Sequence, residues 1–187
     1  MSLFFGPVRQ IAFVTRDMRA SMDFYSREMG VGPWFTTDRA IVSDLRYRGA
    51  PCTAHYSAAL ASWGPIQIEF IQQHDDSPSV FRDWMRRPFA RELQQHVCHW
   101  ADDYDGTIAR ARARGFVVEQ EGVTPWGPFA YLLHPDNPDQ LLELLATTPR
   151  RLAFNGAIAA AAVDWDGQAP IRTFADALAI ADAQGQG

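Results

Sequence analysis

Two carboxylates stand out because of what surrounds them: Glu69 lies in "IQIEFIQ" and Glu143 in "LLELLA". Each sits on a strand-like run that should be buried on at least one face. An unpaired buried carboxylate costs several kcal/mol, so each needs a partner. Two further segments are near copies of one another, "RQIAFVTRD" from Arg9 to Asp17 and "QHVCHWADD" from Gln95 to Asp103, with Gln10 standing where the later copy has His96. Period-two alternation puts Gln10, Ala12 and Val14 on one face of the first strand and His96, Cys98 and Trp100 on the equivalent face of the second. Gln67, Glu69 and Ile71, and likewise Leu141, Glu143 and Leu145, fall on matching faces. One cation at the centre would satisfy both carboxylates at once.

The elements that must position these residues repeat. Asp17 and Asp103 stand at the same offset from Gln10 and His96, seven residues on. The helix-length stretches "MRASMDFYSREMG" and "YDGTIARARARG" follow, each ending in a glycine, Gly30 and Gly115, placed for a left-handed C-cap. Strand-like segments come next. In the first half these are "VGPWFTT", a long stretch from Leu45 to Ser62 with turn-like "RGAP", and "PIQIEFIQQ". In the second they are "FVVEQ", "PFAYLLH" and "QLLELLA", with "PDNPD" as a turn. The expectation is an α+β chain built as an internal duplication. Its parts are a βαβββ module over residues 7–73, a linker over 74–93 with a short helix capped near Ser77 or Ser79, a second module over 94–147 and a helical tail over 148–187. The tail reads as a helix from about Leu152 to Val163, a turn, a second short helix from Thr173 and a frayed "GQG". Phe154, Ile158, Trp165, Phe174 and Leu178 give it apolar contacts to make.

The chain has 187 residues, 47% of them hydrophobic, enough for a substantial core. It carries 17 basic against 22 acidic residues, and every basic one is arginine. That balance argues against a broad nucleic-acid surface. No run is apolar enough for a membrane span and the opening residues lack a leader pattern, so a cytoplasmic setting is expected. Cys52 and Cys98 are isolated and read as reduced thiols. The arginines of "FRDWMRRPFARE" could meet an anionic tail, although a solvated surface is the plainer reading. The glycines of "GVGPWF" follow a helix rather than joining a strand to one, so they form no phosphate cradle.

On "RQIAFVTRDMRASMDFYSREMGVGP", "IEF", "HVCHWADDYD" and "LLEL", the chain resembles the vicinal oxygen chelate superfamily over about residues 7–147. That group includes glyoxalase I, methylmalonyl-CoA epimerase, extradiol dioxygenases and bleomycin-resistance proteins. The resemblance, nearest to the glyoxalase I and epimerase types, implies two βαβββ modules whose curved sheets enclose a metal cavity. It places the ligands on Gln10, Glu69, His96 and Glu143. Gln10 in place of a second histidine departs from the two-His, one-Glu set of the iron dioxygenases. The oxygen-rich set suits a redox-silent Lewis acid, which leaves zinc, nickel, cobalt, manganese and magnesium open. The implied activity is that of a metal-dependent isomerase, epimerase or lyase. It would remove a proton next to a carbonyl of a small-molecule or acyl-thioester substrate through an enediolate, with Glu143, and after it Glu69, as the base. Glyoxalase I itself fits less well, since Val14 and Gln73 stand where its glutathione-binding arginine and asparagine would fall. The rival reading is a non-catalytic sequestering protein of the bleomycin-resistance kind. A homodimer is expected by the same resemblance.

Other candidates read as structure. His99 should face away from the site and pack against helices. His55 and Tyr56 could reach the cavity from the long strand, and Trp34, Trp126 and Tyr131 should be core or pocket wall.

Overall fold

The computed structural model describes residues 2–184; the closing "GQG" lies outside them. The first module runs β1 (Gln10–Thr15), α1 (Met18–Met29), β2 (Trp34–Thr37), a hairpin of β3 (Ser43–Tyr47) and β4 (Ala50–Pro51), then β5 (Tyr56–Trp63) and β6 (Ile66–Gln73). A short helix, α2 (Val80–Met85), leads to the second module: β7 (Glu92–Ala101), α3 (Tyr104–Arg112), β8 (Val117–Thr124), β9 (Gly127–His134) and β10 (Asn137–Ala146). The tail adds α4 (Pro149–Ala162), β11 (Ile171–Thr173) and α5 (Phe174–Gln184). Among the described residues no helix is long and apolar enough to cross a membrane.

All the strands join one curved, unclosed sheet in the order β11-β2-β5-β6-β1-β7-β10-β9-β8-β3-β4. The duplication is visible in that order. In each module the first strand pairs in parallel with the last, β1 with β6 and β7 with β10, and the two first strands pair antiparallel at the centre. The aligned aspartates have the same task in both copies. Asp17 accepts from the amide of Ala20 and Asp103 from that of Gly106, so each caps the helix after its strand. Gly30 closes α1 in the left-handed conformation, with φ 66°. Gly115 sits beyond the end of α3, where Ala113 takes the cap position.

Alternation along the strands separates two faces. Ile11, Phe13, Ile68 and Phe70 pack under α1 with Met22 and Tyr25, while Leu142, Leu144, Ala130 and Leu132 pack under α3 with Ala111. Val14, Ile71, Phe129, Tyr131 and Leu141 line the opposite, concave face, where Phe81 and Trp84 of α2 join them. Trp34 belongs to the α1 side, stacked on Phe70 at 4.8 Å.

The stretch from Leu45 to Ser62, expected as one long strand-like segment with a turn at "RGAP", holds parts of three strands, β3, β4 and β5, and the turn falls at that motif. Arg48 and Gly49 both adopt positive φ, 50° and 78°, which turns β3 into β4 through a two-residue hairpin loop. This hairpin leaves its own module and pairs with β8 of the other. Tyr47 donates to Asp83 of α2 at 2.6 Å and Arg48 to Glu119 of β8 at 2.6 Å, which fastens the hairpin over the concave face.

The tail packs on the body, as its apolar spacing suggests. Phe154 and Ile158 of α4, with Ala177 of α5, are buried against Phe35 of β2 and Leu60 of β5, and β11 extends the sheet alongside β2. Trp165 lies so close to Gly32 that a Cβ there would come within 2.6 Å of the indole, which accounts for the second glycine of "GVGPW". Phe154→Ala should cost about 3–5 kcal/mol of stability, the usual loss for emptying a buried aromatic site. Denaturant unfolding measures it, and an unchanged midpoint would show that the tail adds nothing to the fold.

Candidate metal centre

The register of the central strands sets the site. Across the concave face one row reads Gln67, Gln10, Cys98, Glu143 and Tyr131, and the next reads Leu60, Glu69, Ala12, His96 and Leu141. The internal symmetry exchanges Gln10 with His96, Ala12 with Cys98 and Glu69 with Glu143. In each row a small, fully buried residue stands between two of the sequence-predicted positions, Cys98 between Gln10 and Glu143, and Ala12 between Glu69 and His96. The space those small side chains leave is where the larger ones converge. Ala12→Leu should therefore cost about 1–3 kcal/mol by overfilling and abolish binding of any ion there. Thermal unfolding followed by metal titration would show both effects, and unchanged binding would mean that the converging side chains do not share that space.

Glu69, His96 and Glu143 are brought together, one possible ligand atom of each lying within 4.8 Å of the others. His96 Nε2 is 3.3 Å from Glu143 and 3.5 Å from Glu69. It is buried and makes no hydrogen bond of good geometry. Its other nitrogen is committed: Nδ1–H donates to Gln95 Oε1 at 2.8 Å, so Nε2 is the nitrogen left to face the carboxylates. Gln95 can reach inward because β7 slips by one residue against β1 between Ala12 and Phe13, a bulge that buries two successive side chains. Gln10 is on the same wall. Its Nε2 donates to Gln67 Oε1 at 2.8 Å, and its Oε1 is buried without a partner.

Burial pushes the Glu69 carboxyl well up, and the charge of Glu143 pushes it further. At Glu143 burial acts the same way, but the neighbouring His96 imidazole, with the Cys98 thiol and the Tyr131 phenol beside the carboxyl, outweighs it and holds the carboxyl down. The two carboxylates cannot both ionise cheaply without a cation. The unpartnered imidazole nitrogen and the two opposed carboxylates form a donor set that fits a divalent ion of hard to borderline character, and the unpartnered Gln10 oxygen lies on the same wall.

The cluster opens into a cavity of about 580 Å³, a common size for a small-molecule site. Tyr56, Trp126 and Tyr131 line it, as expected for wall residues, with Leu60, Ile71, Phe129 and Leu145. The tail contributes Phe154, Asn155, Phe174 and Leu178. Arg151, also on the wall, is buried but meets no carboxylate directly. It donates to the carbonyls of Pro128, Ala146 and Gly127 and to the Thr124 hydroxyl. Burial pushes its guanidinium down and the charge of Glu143 opposes that. Nothing in "PRRLAF" distinguishes it from a surface arginine.

The remaining candidates lie elsewhere. His99 faces away from the cluster, bonded at Nδ1 to the Pro7 carbonyl at 3.0 Å and packed on Phe5 of the N-terminal segment. His55 packs at a tilt against the ring of His74 outside the cavity. Arg82, Arg87 and Arg91 are engaged by Asp76, Asp139 and Glu92, also away from the cavity wall.

A duplicated βαβββ sheet with converging side chains at its centre defines the class of protein, and the sequence profile agrees. The profile of the Glyoxalase/Bleomycin resistance protein/Dioxygenase superfamily matches residues 9–131, and the chain belongs to that family. Among solved structures, a methylmalonyl-CoA epimerase superposes with a TM-score of 0.53 at 17% identity, covering 79% of this chain and 99% of its own. The methylmalonyl-CoA epimerase from Mycobacterium tuberculosis gives 0.55 at 15%, covering 82% and 96%. A hypothetical protein from Bacillus halodurans C-125 gives 0.55 at 13%, covering 76% and 94%. At such identities the likeness is one of fold. No curated protein sequence matches.

Proposed function

We propose that this chain is a metal-dependent isomerase, epimerase or lyase of the glyoxalase-like type, acting on a carbon next to a carbonyl in a small-molecule or acyl-thioester substrate. The observation that carries the reading is His96 Nε2, buried and without a hydrogen bond between the carboxylates of Glu69 and Glu143, which themselves line a cavity large enough for a substrate. Gln10, Glu69, His96 and Glu143 would hold the ion. A divalent cation supplies Lewis-acid polarisation of a carbonyl, which acidifies the neighbouring hydrogen.

The chain's own groups account for the rest. Glu143, steadied by Cys98 and Tyr131, is the proton acceptor. Glu69, its counterpart in the other module, is the second carboxylate and can return a proton from the opposite half of the sheet. The apolar wall of Leu60, Ile71, Phe129 and Leu145 excludes water and receives an apolar acyl or aromatic portion of the substrate. The epimerases that share the fold make acyl-CoA thioesters the first substrates to try. The reading includes a cytoplasmic homodimer, since a sheet left open at β4 and β11 has edges that two-fold pairing can cover.

The test is exchange at the α-carbon. Candidate acyl-CoA, 2-oxo and 2-hydroxy acids incubated with the metal-loaded protein in deuterium oxide should gain deuterium in at least one case, and chelation should stop it. Tight binding without exchange by any of them would favour the sequestering role instead.

A further inference from the structure

The two first-strand positions are supported differently, and the difference involves the tail. His96 is oriented from within its own strand, by Gln95 at the bulge. Gln10 has no such neighbour. Its partner across the parallel pair is Gln67, whereas the corresponding partner of His96 is Leu141, which cannot hydrogen-bond. Gln67 in turn donates from Nε2 to Asn155 Oδ1 at 3.1 Å. Asn155 comes from α4, on the face where Arg151, Phe154, Asn155 and Ile158 are buried at helical spacing. Three primary amides therefore stand in line, all buried, and the end of the line inside the site is an amide oxygen without a partner.

A line of amides can run with either polarity, because each carries one acceptor oxygen and one donor nitrogen. A cation accepts only the oxygen. We infer that Asn155 and Gln67 are positioning residues that fix the polarity of this line, so that Gln10 turns its carbonyl oxygen, and not its NH₂, toward the ion. Asn155 accepts from Gln67, Gln67 accepts from Gln10, and the Gln10 oxygen is left free. The tail, which has no counterpart in the duplicated modules, thus does for the glutamine corner what the β-bulge does for the histidine corner. This inference rests on the metal reading of the site.

Zn²⁺ titration of the stripped protein against a chromophoric chelator tests it without reference to activity. Asn155→Leu removes the terminal acceptor and should weaken Zn²⁺ binding roughly 10- to 100-fold, the usual effect of losing a supporting hydrogen bond behind a ligand. Gln67→Met should weaken it at least as much. Asn155→Asp, whose carboxylate can only accept, enforces the same polarity and should retain wild-type affinity. Unchanged binding in Asn155→Leu, or equal weakening in Asn155→Asp and Asn155→Leu, would overturn the relay while leaving the metal site standing. If Asn155→Leu does not fold, Gln67→Met decides: unchanged affinity there overturns the relay. A wild-type chain that binds neither Zn²⁺ nor, in the same competition, nickel, cobalt, manganese or magnesium ions would overturn the metal reading and the relay together.

Discussion

Replacing Glu143 by glutamine is expected to lower turnover by about 10²- to 10⁴-fold while leaving the ion bound, the range typical of removing a general base. Glutamine retains an oxygen able to ligate and is close in volume, so the row from Gln67 to Tyr131 keeps its packing. What disappears is the lone pair basic enough to take a carbon-bound proton. Loss of deuterium exchange with retained metal stoichiometry is the expected result. Retained exchange would move the base to Glu69, whose register in the first module is the same. Glu69→Gln in the same assay then separates the two, since only loss of the base should stop exchange altogether.

His96→Ala should fail at an earlier step. The imidazole is fully buried between two carboxylates, and its deletion removes the one nitrogen ligand of the set. Metal affinity should fall by more than the roughly 10- to 100-fold associated with losing a supporting group, and activity should return in part at high metal concentration. Equilibrium dialysis with a series of divalent ions measures the first effect, and turnover against total metal the second. A variant that binds metal as tightly as the wild type would show that the carboxylates hold it elsewhere.

The difference between these two variants follows from features that can be read along the chain. Glu69 and Glu143 are conspicuous because each interrupts an apolar run, and Gln10 and His96 because two near-identical strands differ at that position. Period-two alternation then assigns all of them to one face, and the observed rows follow that assignment. Asp17 and Asp103 mark both helix starts because capping depends on the few residues around it. Gln95 is different. A single-residue slip in pairing turns it inward, and nothing in "LQQHV" tells which glutamine sits at the bulge. The β3–β4 hairpin is equally hidden, because its pairing with β8 is settled by Tyr47 and Arg48 meeting Asp83 and Glu119 far along the chain. Asn155 and Arg151 are the most remote from any pattern. They belong to an alanine-rich helix without a duplicate, and only its docking, Asn155 against the first module and Arg151 against the second, shows that their polar groups are buried.

Whether the centre of this sheet holds a metal is answered most directly by elemental analysis of the chain purified without chelator and dialysed against a mixture of zinc, nickel, cobalt, manganese and magnesium salts. One equivalent of a divalent ion per chain, lost in His96→Ala and retained in Glu143→Gln, is the result predicted by the converging Glu69, His96 and Glu143. A wild-type chain that retains no ion at stoichiometric level would contradict it.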